Sequence, residues 1–266
     1  MKIVVLIKQV PDTNEVKVDP KTGTLIREGV PSIINPDDRN ALEAALQLKE
    51  KHGAHITVLS MGPPWAMVVL KEAKAMGADE GVLLSDRAFA GSDTWATCYA
   101  LGMAIKKIKD YDLILCGRQA IDGDTAQVGP QVAEFLDIPQ LTYVTSLKYV
   151  KRGKKVVVER AMEDGHEKAE AKLPALITIM GGANEPRYPT LWGIVEACRK
   201  TEFPMWGAKD VGADPKRCGL ESSPTNVKKS FVPEPKGGGT LFNGSSKEKV
   251  AALMEQLKKD NVIRER

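Results

Sequence analysis

Four short runs do most to limit what this chain can fold into. KIVVLI (2–7), HITVLS (55–60), GVLLS (81–85) and DLILC (112–116) are apolar and often β-branched, with no alternation of wet and dry positions. A strand with one face in water alternates. A strand covered on both faces does not, and such strands belong to parallel sheets sandwiched between helices. The intervening segments read as helices. Asp37 or Asp38 caps one that carries Leu42, Ala45 and Leu46 and ends near Gly53. Pro63 or Pro64 opens a second, with Val69, Ala73 and Met76 on one face and Gly77 as its stop. Asp93 caps a third, with Cys98, Leu101, Ile105 and Ile108 at helical spacing. Strand and helix in alternation predict a doubly wound, mostly parallel α/β sheet of the Rossmann-like, adenine-nucleotide-binding kind. Its ligands belong at the carboxyl ends of the strands.

The pattern changes after Pro139. LTYVTSLKYV, then KRG, then KKVVVER predict an added hairpin, and ALITIM (175–180) another strand. Between Phe203 and Gly244, prolines 204, 215, 224, 233 and 235 and the run Gly237-Gly238-Gly239 exclude long elements. Ser245 and Glu248 then form a capping box opening a helix with Val250, Leu253, Met254 and Leu257 on one face. One amphipathic helix on an irregular arm cannot build its own core, so it packs on this chain or on another. The residues alone leave both open. The expected division is an α/β domain over 1–205 and a C-terminal arm over 206–266.

Several function classes are disfavoured. The net charge of the 266-residue chain is +3, with basic residues spread throughout, so nucleic acid is not an expected partner. No apolar run approaches the ~20 residues that span a bilayer, so membrane insertion is not expected. The start, MKIVVLIKQVPD, reads as a buried strand rather than a signal peptide. Cys98, Cys116, Cys198 and Cys218 form no C-x-x-C pair, which fits a reduced, cytoplasmic protein. His52, His55 and His166 lack metal-ligand spacing, and no catalytic acid–base pair stands out.

The segment that asks for a ligand is GRQAIDGDTAQVGP (117–130). It follows an apolar strand, so Gly117 begins at a carboxyl edge. Pro130 is tolerated only in a first helical turn, so a helix starts around Ala126 to Gly129. Unpaired N–H groups from Thr125 to Val128 then face the sheet edge, as in phosphate sites. Asp122 and Asp124 argue against crowding a bare phosphate and suit turn caps or ribose hydroxyls, with Arg118 or Lys8 to offset charge. An ordinary helix start with Asx turns is the competing reading. The segment has neither Gly-Lys-Ser/Thr nor G-x-G-x-x-G.

These pieces together resemble the small (beta) subunits of electron-transfer flavoproteins. The resemblance is carried by KQVPD (8–12), INPDD (34–38), SMGPP (60–64), AMGAD (75–79), LCGRQAIDGDTAQVGP (115–130), LP (173–174) and NEPRYPTL (184–191). They run in family order over most of residues 1–205. The resemblance implies a heterodimer with a larger alpha subunit that carries FAD in a mobile domain, and a C-terminal arm that wraps that subunit. It implies an adenine nucleotide held by Leu6, Asn35, Pro36, Asp37, Asp38, Met61 and the loop Gly117, Arg118, Gln119, Ala120, Ile121, Asp122, Gly123, Asp124, Thr125, Ala126, Gln127 and Val128. Lys8 and Val10 lie on the Leu6-to-Pro11 edge along which a flavin ring would extend.

One family branch binds AMP here and shuttles electrons. The other binds a second FAD that takes electrons from NADH and bifurcates them. The AMP branch tends toward a third acid and bulkier polar residues where this chain has Gly123 and Thr125 to Pro130, so the resemblance points to FAD with NADH as donor. The acceptors it implies are a flavin-dependent dehydrogenase of the acyl-CoA, enoyl-CoA or hydroxy-acid type and ferredoxin or flavodoxin. Any oxidation of NADH then belongs to the complex, not to this chain alone. In the family, a loop matching NEPRYPTLWG docks the dehydrogenase through an exposed Leu, here Leu191, flanked by Tyr188 and Trp192. A nucleotide sensor of the universal-stress type shares the architecture. Its G-x-x-G-x(9)-G-S/T pattern is missing, and NEPRYPTL would have no role in it.

Overall fold

The computed structural model describes residues 1–12, 31–199, 201–228 and 237–263. Pro233 and Pro235 of the irregular stretch lie outside the described residues. In chain order the elements are β1 (Lys2–Ile7), β2 (Gln9–Pro11), β3 (Ser32–Ile34), α1 (Pro36–His52), β4 (His55–Met61), α2 (Met67–Met76), β5 (Glu80–Leu84), α3 (Thr94–Ile108), β6 (Leu113–Gly117) and α4 (Val128–Leu136). There follow β7 (Gln140–Val150), β8 (Lys155–Met162), β9 (Gly165–Lys172), β10 (Ala175–Ile179), α5 (Leu191–Arg199), β11 (Met205–Trp206) and α6 (Ser246–Lys259).

The predicted α/β sheet is present. Nine strands run in the order β11-β5-β4-β1-β6-β10-β7-β8-β9, and β2 pairs with β3 in a small separate ribbon. All pairings from β11 to β7 are parallel, and β7-β8-β9 is an antiparallel meander. From β1 the chain steps through β4 to β5 on one side, then crosses to β6 on the other. That reversal between β1 and β6 is the crevice where doubly wound sheets bind ligands.

The unalternating runs are buried for the reason that predicted them. One core cluster packs α1 and α2 on Ile3, Val5, Ile56, Val58 and Leu115. The other packs α3 and α4 on Val4, Leu59, Ile114 and Leu176. Alternate residues of each strand point to opposite clusters, and each fully buried aliphatic side chain contributes about 1.5–3 kcal/mol.

The structure refines four readings. Asp37 and Asp38 are not the cap of α1: Asn35 is the N-cap residue, Pro36 opens the helix, and both acids sit in its first turn. The hairpin gains a third strand, β9, whose highly charged GHEKAEAK is exposed or half-buried throughout and so carries no apolar signal. NEPRYPTLWG is not loop to its end, because Leu191 and Trp192 begin α5, which packs on α2. Finally, residues beyond 205 join the α/β body. β11 pairs with β5, Ala208 N donates to Asp86, and Thr225 is held by Asp93, so the first compact unit runs from Met1 to Lys228.

The second unit, Lys229–Arg266, contains α6 with the predicted capping box between Ser245 and Glu248. No residue of α6 is buried; Val250, Leu253 and Met254 are exposed.

Candidate functional site: a backbone-lined crevice at the strand switch point

The loop between β6 and α4 is built by side chains that hold backbone. Asp38 comes first. Its Oδ2 accepts from Lys8 N at the end of β1 (2.9 Å) and its Oδ1 from Gly117 N at the end of β6 (2.8 Å). One carboxylate therefore joins the two strand ends that bound the crevice. Asn35 does the same for the loop. Its Nδ2 donates to Gln119 O (2.8 Å) and its Oδ1 accepts from Ile121 N (3.1 Å). That explains why Asn35 occupies the N-cap position of α1 without a side-chain cap bond.

The loop's acids are engaged within the chain. Lys8 Nζ donates to Asp122 Oδ1 at 2.6 Å, and Gln119 Nε2 to Asp124 Oδ1 at 2.7 Å. Both bonds run from side chain to side chain, so Lys8 and Gln119 hold the two acids across the loop. Arg118 faces Asp37 at 3.6 Å, but Arg118 Nε and Asp37 Oδ2 are buried with no hydrogen-bond partner among the described residues. Burial raises the Asp37 pKa, opposed by the Arg118 charge. Burial likewise pushes Asp38 up to about 7, against the Gly117 and Lys8 amides and the Asn35 side chain.

The result is a loop with a run of undonated amides. Among the described residues the N–H groups of Thr125, Ala126, Gln127 and Val128 donate no hydrogen bond. Asp124 (φ 49°) and Ala126 (φ 52°) are left-handed, whereas Gln127 (φ −106°) is not. Alternating hand along a backbone turns successive N–H groups toward one side and makes an anion-binding concavity. Left-handed non-glycine residues are strained, and such strain concentrates at ligand sites.

The glycines divide by role. A Cβ on Gly117 would lie 2.5 Å from Asp38 Oδ1 and 2.7 Å from the Asp37 backbone, and one on Gly129 would lie 2.8 Å from Thr178. Both allow close packing. A Cβ on Gly123 would meet nothing within 4 Å.

Other predicted residues fall around this crevice with different roles. Leu6 and Val10 are buried in the fold, so only their backbone is available to a ligand. Pro36 is the first residue of α1, and Ala120 O accepts from Gly123 N and Asp124 N to close the turn. Ile121 is exposed. Met61 ends β4, beside β1, and packs on the second core cluster. Gln127 Oε1 accepts from Thr94 at the start of α3. The site is an open crevice. A separate cavity of about 270 Å³ lies between α1 and β7, and no loop residue lines it.

The second predicted site stands apart and is built differently. Arg187 grips α1, with Nε and Nη2 on Glu43 (2.8 and 2.9 Å) and Nη1 on Glu50 (2.5 Å). Asn40 Nδ2 donates to Asn184 O, and Asn184 Nδ2 to Asn40 O. Burial alone would raise Glu43, yet the Arg187 bonds bring it below the usual carboxylate range. The segment so fixed exposes Tyr188 by 84%, Leu191 by 81% and Trp192 by 68%. They are not core residues, which is the commoner fate of such side chains. The anchors Asn40, Glu43, Glu50, Asn184 and Arg187 were missed. Their partners are up to 144 residues apart, and no local pattern announces such a pairing.

Comparison with known proteins decides the family. A model of the electron transfer flavoprotein domain matches residues 22–203. The electron transfer flavoprotein subunit beta of Thermoanaerobacterium thermosaccharolyticum is 56% identical over 99% of this chain and 100% of its own length. The chain belongs to the electron transfer flavoprotein family. Its role is that of the beta subunit. Subunit CarD of the caffeyl-CoA reductase–Etf complex of Acetobacterium woodii is 54% identical over 99% of this chain and all of its own. The acryloyl-CoA reductase electron transfer subunit gamma of Anaerotignum propionicum is 49% identical over the same shares. A stress-type nucleotide sensor is thereby replaced by an electron carrier. Among the described residues no helix is long and apolar enough to cross a membrane.

Proposed function

We propose that this beta subunit binds FAD in the β1/β6 crevice, that NADH reduces this FAD, and that the complex sends the two electrons to different acceptors. The observation that carries the reading is the run of four undonated amides, Thr125 to Val128, beside an open Gly123. A diphosphate needs several convergent donors and room for the chain to pass. Amides do this without adding side-chain bulk. Arg118 Nε and Asp37 Oδ2 beside the loop face each other at 3.6 Å without a hydrogen bond, and are polar atoms of the kind an ordered water or a ligand bridges.

The chain's own residues bind and orient. Thr125 to Val128 offer N–H groups to phosphate oxygens. Lys8 and Arg118 moderate negative charge at the mouth, and the Leu6-to-Pro11 edge directs the remainder of the cofactor outward. Bound FAD supplies the hydride acceptance and one-electron transfer that no side chain can perform.

One acceptor is a flavin dehydrogenase of the acyl-CoA, enoyl-CoA or hydroxy-acid type, engaged through Leu191 with Tyr188 and Trp192. The other is a low-potential carrier, ferredoxin or flavodoxin. The exposed face of α6 supports a C-terminal arm that wraps the alpha subunit. Deleting residues 229–266 is expected to abolish co-purification with that subunit, and retained full stoichiometry would refute it. The setting fits the cytoplasm, where the four free cysteines stay reduced.

Cofactor analysis of the purified heterodimer tests the reading. FAD in each subunit, with the beta-site flavin bleached by NADH, is expected. One FAD with one tightly bound AMP would move the chain to the simple electron-carrier branch.

A further inference from the structure

We propose that Asp38 is a positioning residue that sets the shape of the crevice through its charge state: as a carboxylate it ties the ends of β1 and β6 together, and as a neutral acid it releases one of them. The proposal rests on reading residues 117–128 as a nucleotide cradle. It differs from a ligand role for Asp38, because both carboxylate oxygens are occupied by backbone amides, Lys8 N at 2.9 Å and Gly117 N at 2.8 Å. A carboxylate accepts on both oxygens. A protonated acid presents a hydroxyl on one of them, and a hydroxyl is the poorer acceptor for a fixed N–H.

The two amides sit where small movements matter. Gly117 N precedes the loop that carries the free N–H groups. Lys8 continues into the Leu6-to-Pro11 edge, and its ammonium holds Asp122 inside the loop. Releasing either strand end therefore moves the cradle. The contact is tight, since a single Cβ on Gly117 would collide with Asp38 Oδ1 at 2.5 Å.

The surroundings make the switch sensitive near neutrality. Asp38 is only 7% exposed. From its own helix it faces the raised acid Asp37, and from β6 the buried Cys116 thiol, which burial and the Asp38 charge keep protonated. Lys8 and Arg118 are the nearby cations, but Lys8 serves Asp122 and Arg118 faces Asp37. Among the described residues no cation pairs with Asp38, so burial dominates and its pKa rises to about 7. The consequence for folding is opposite to the consequence for binding. With a folded pKa near 7 and an unfolded value near 3.8, the folded chain holds this proton more tightly. This group therefore adds stability as pH falls from about 7 toward 4, while the cradle loosens over the same window.

The test is a titration of the full chain with FAD and with ADP-ribose. Their phosphates are diesters of constant charge, so any pH dependence belongs to the protein. Wild-type affinity for both is expected to fall roughly tenfold as pH is lowered from about 8 to about 6. Asp38→Asn keeps one acceptor and turns an N–H against the other amide. It is expected to bind roughly tenfold more weakly at pH 8, to lose the pH dependence, and to melt no lower than wild type at that pH because a buried charge has gone. Should the variant not fold, the wild-type profile decides by itself. A wild-type affinity that is flat or rises on acidification, or an Asp38→Asn chain that binds as wild type does, would overturn the proposal. Failure of the wild type to bind either probe at any pH would overturn the cradle reading, and this proposal with it.

Discussion

The crevice at residues 117–128 and the proposed docking segment at 184–192 are assembled on opposite plans. In the crevice, Asp38 and Asn35 spend their side chains on holding backbone, Lys8 and Gln119 hold the loop's acids, and what is left undonated among the described residues is amide N–H. In the docking segment, Asn184 and Arg187 hold the backbone to α1, and what faces outward is three large apolar side chains. A backbone site recognises charge and shape, and is damaged by changes that move the chain or fill its path. A side-chain site is damaged by truncating the residue that enters the partner. The two should therefore fail in different ways.

The largest effect is expected at Gly117→Ala, which forces a Cβ against Asp38 and the Asp37 backbone. Overpacking there costs about 1–3 kcal/mol of stability, and nucleotide content should fall with it. Normal FAD content in a chain with an unchanged melting temperature would show that the clamp has slack.

Next is Arg187→Met, which takes the counter-ion from the 4%-exposed Glu43 and leaves it only the Gln47 side chain and the residue-187 amide. Because the guanidinium is one-third exposed, a loss of about 1–3 kcal/mol is expected. Glu43 is depressed in the folded state, so the stability it contributes is present above its unfolded pKa and lost as pH falls through the acid range. The deficit of Arg187→Met relative to wild type should therefore shrink in acid. A deficit independent of pH would mean that packing of the Arg187 stem, rather than the ion pair, holds the segment.

Smallest in stability is Leu191→Ala. At 81% exposure it should change folding by less than ~0.5 kcal/mol, yet slow electron transfer to the dehydrogenase by roughly tenfold or more. An equal loss of flavin would make Leu191 a structural residue instead.

How much of this was legible in the chain differs between the two regions. The sheet was readable because β1, β4, β5 and β6 are buried on both faces, and that burial forbids alternation. The helix starts at Asp93 and Ser245 were readable because capping is local. The crevice was half readable. Glycine, Pro130 and the strand end marked where amides would be free, but Asp38 looks like a helix cap or a ligand contact until Lys8 and Gly117 are brought to it from 30 and 79 residues away. Of the loop's three glycines, Gly117 and Gly129 serve packing and Gly123 borders open space. In the docking segment the apolar side chains were visible and their support was not. Arg187 meets acids 137 and 144 residues earlier. β9 carries little apolar signal because the residues it packs on the core are the small Ala169 and Ala171, set among exposed charged residues.

The separation of the two plans is the central claim, and crossing two variants tests it directly. Heterodimers carrying Gly123→Asp or Leu191→Ala would be measured for FAD bound at the beta site and for the rate of electron delivery from the alpha-subunit flavin, reduced by an external donor, to the dehydrogenase. Gly123→Asp has room for its side chain and should fold, lose the beta-site flavin and NADH oxidation, and still deliver electrons to the dehydrogenase. Leu191→Ala should keep its full flavin and fail at delivery. Loss of both properties in either variant would show one coupled surface and contradict the account.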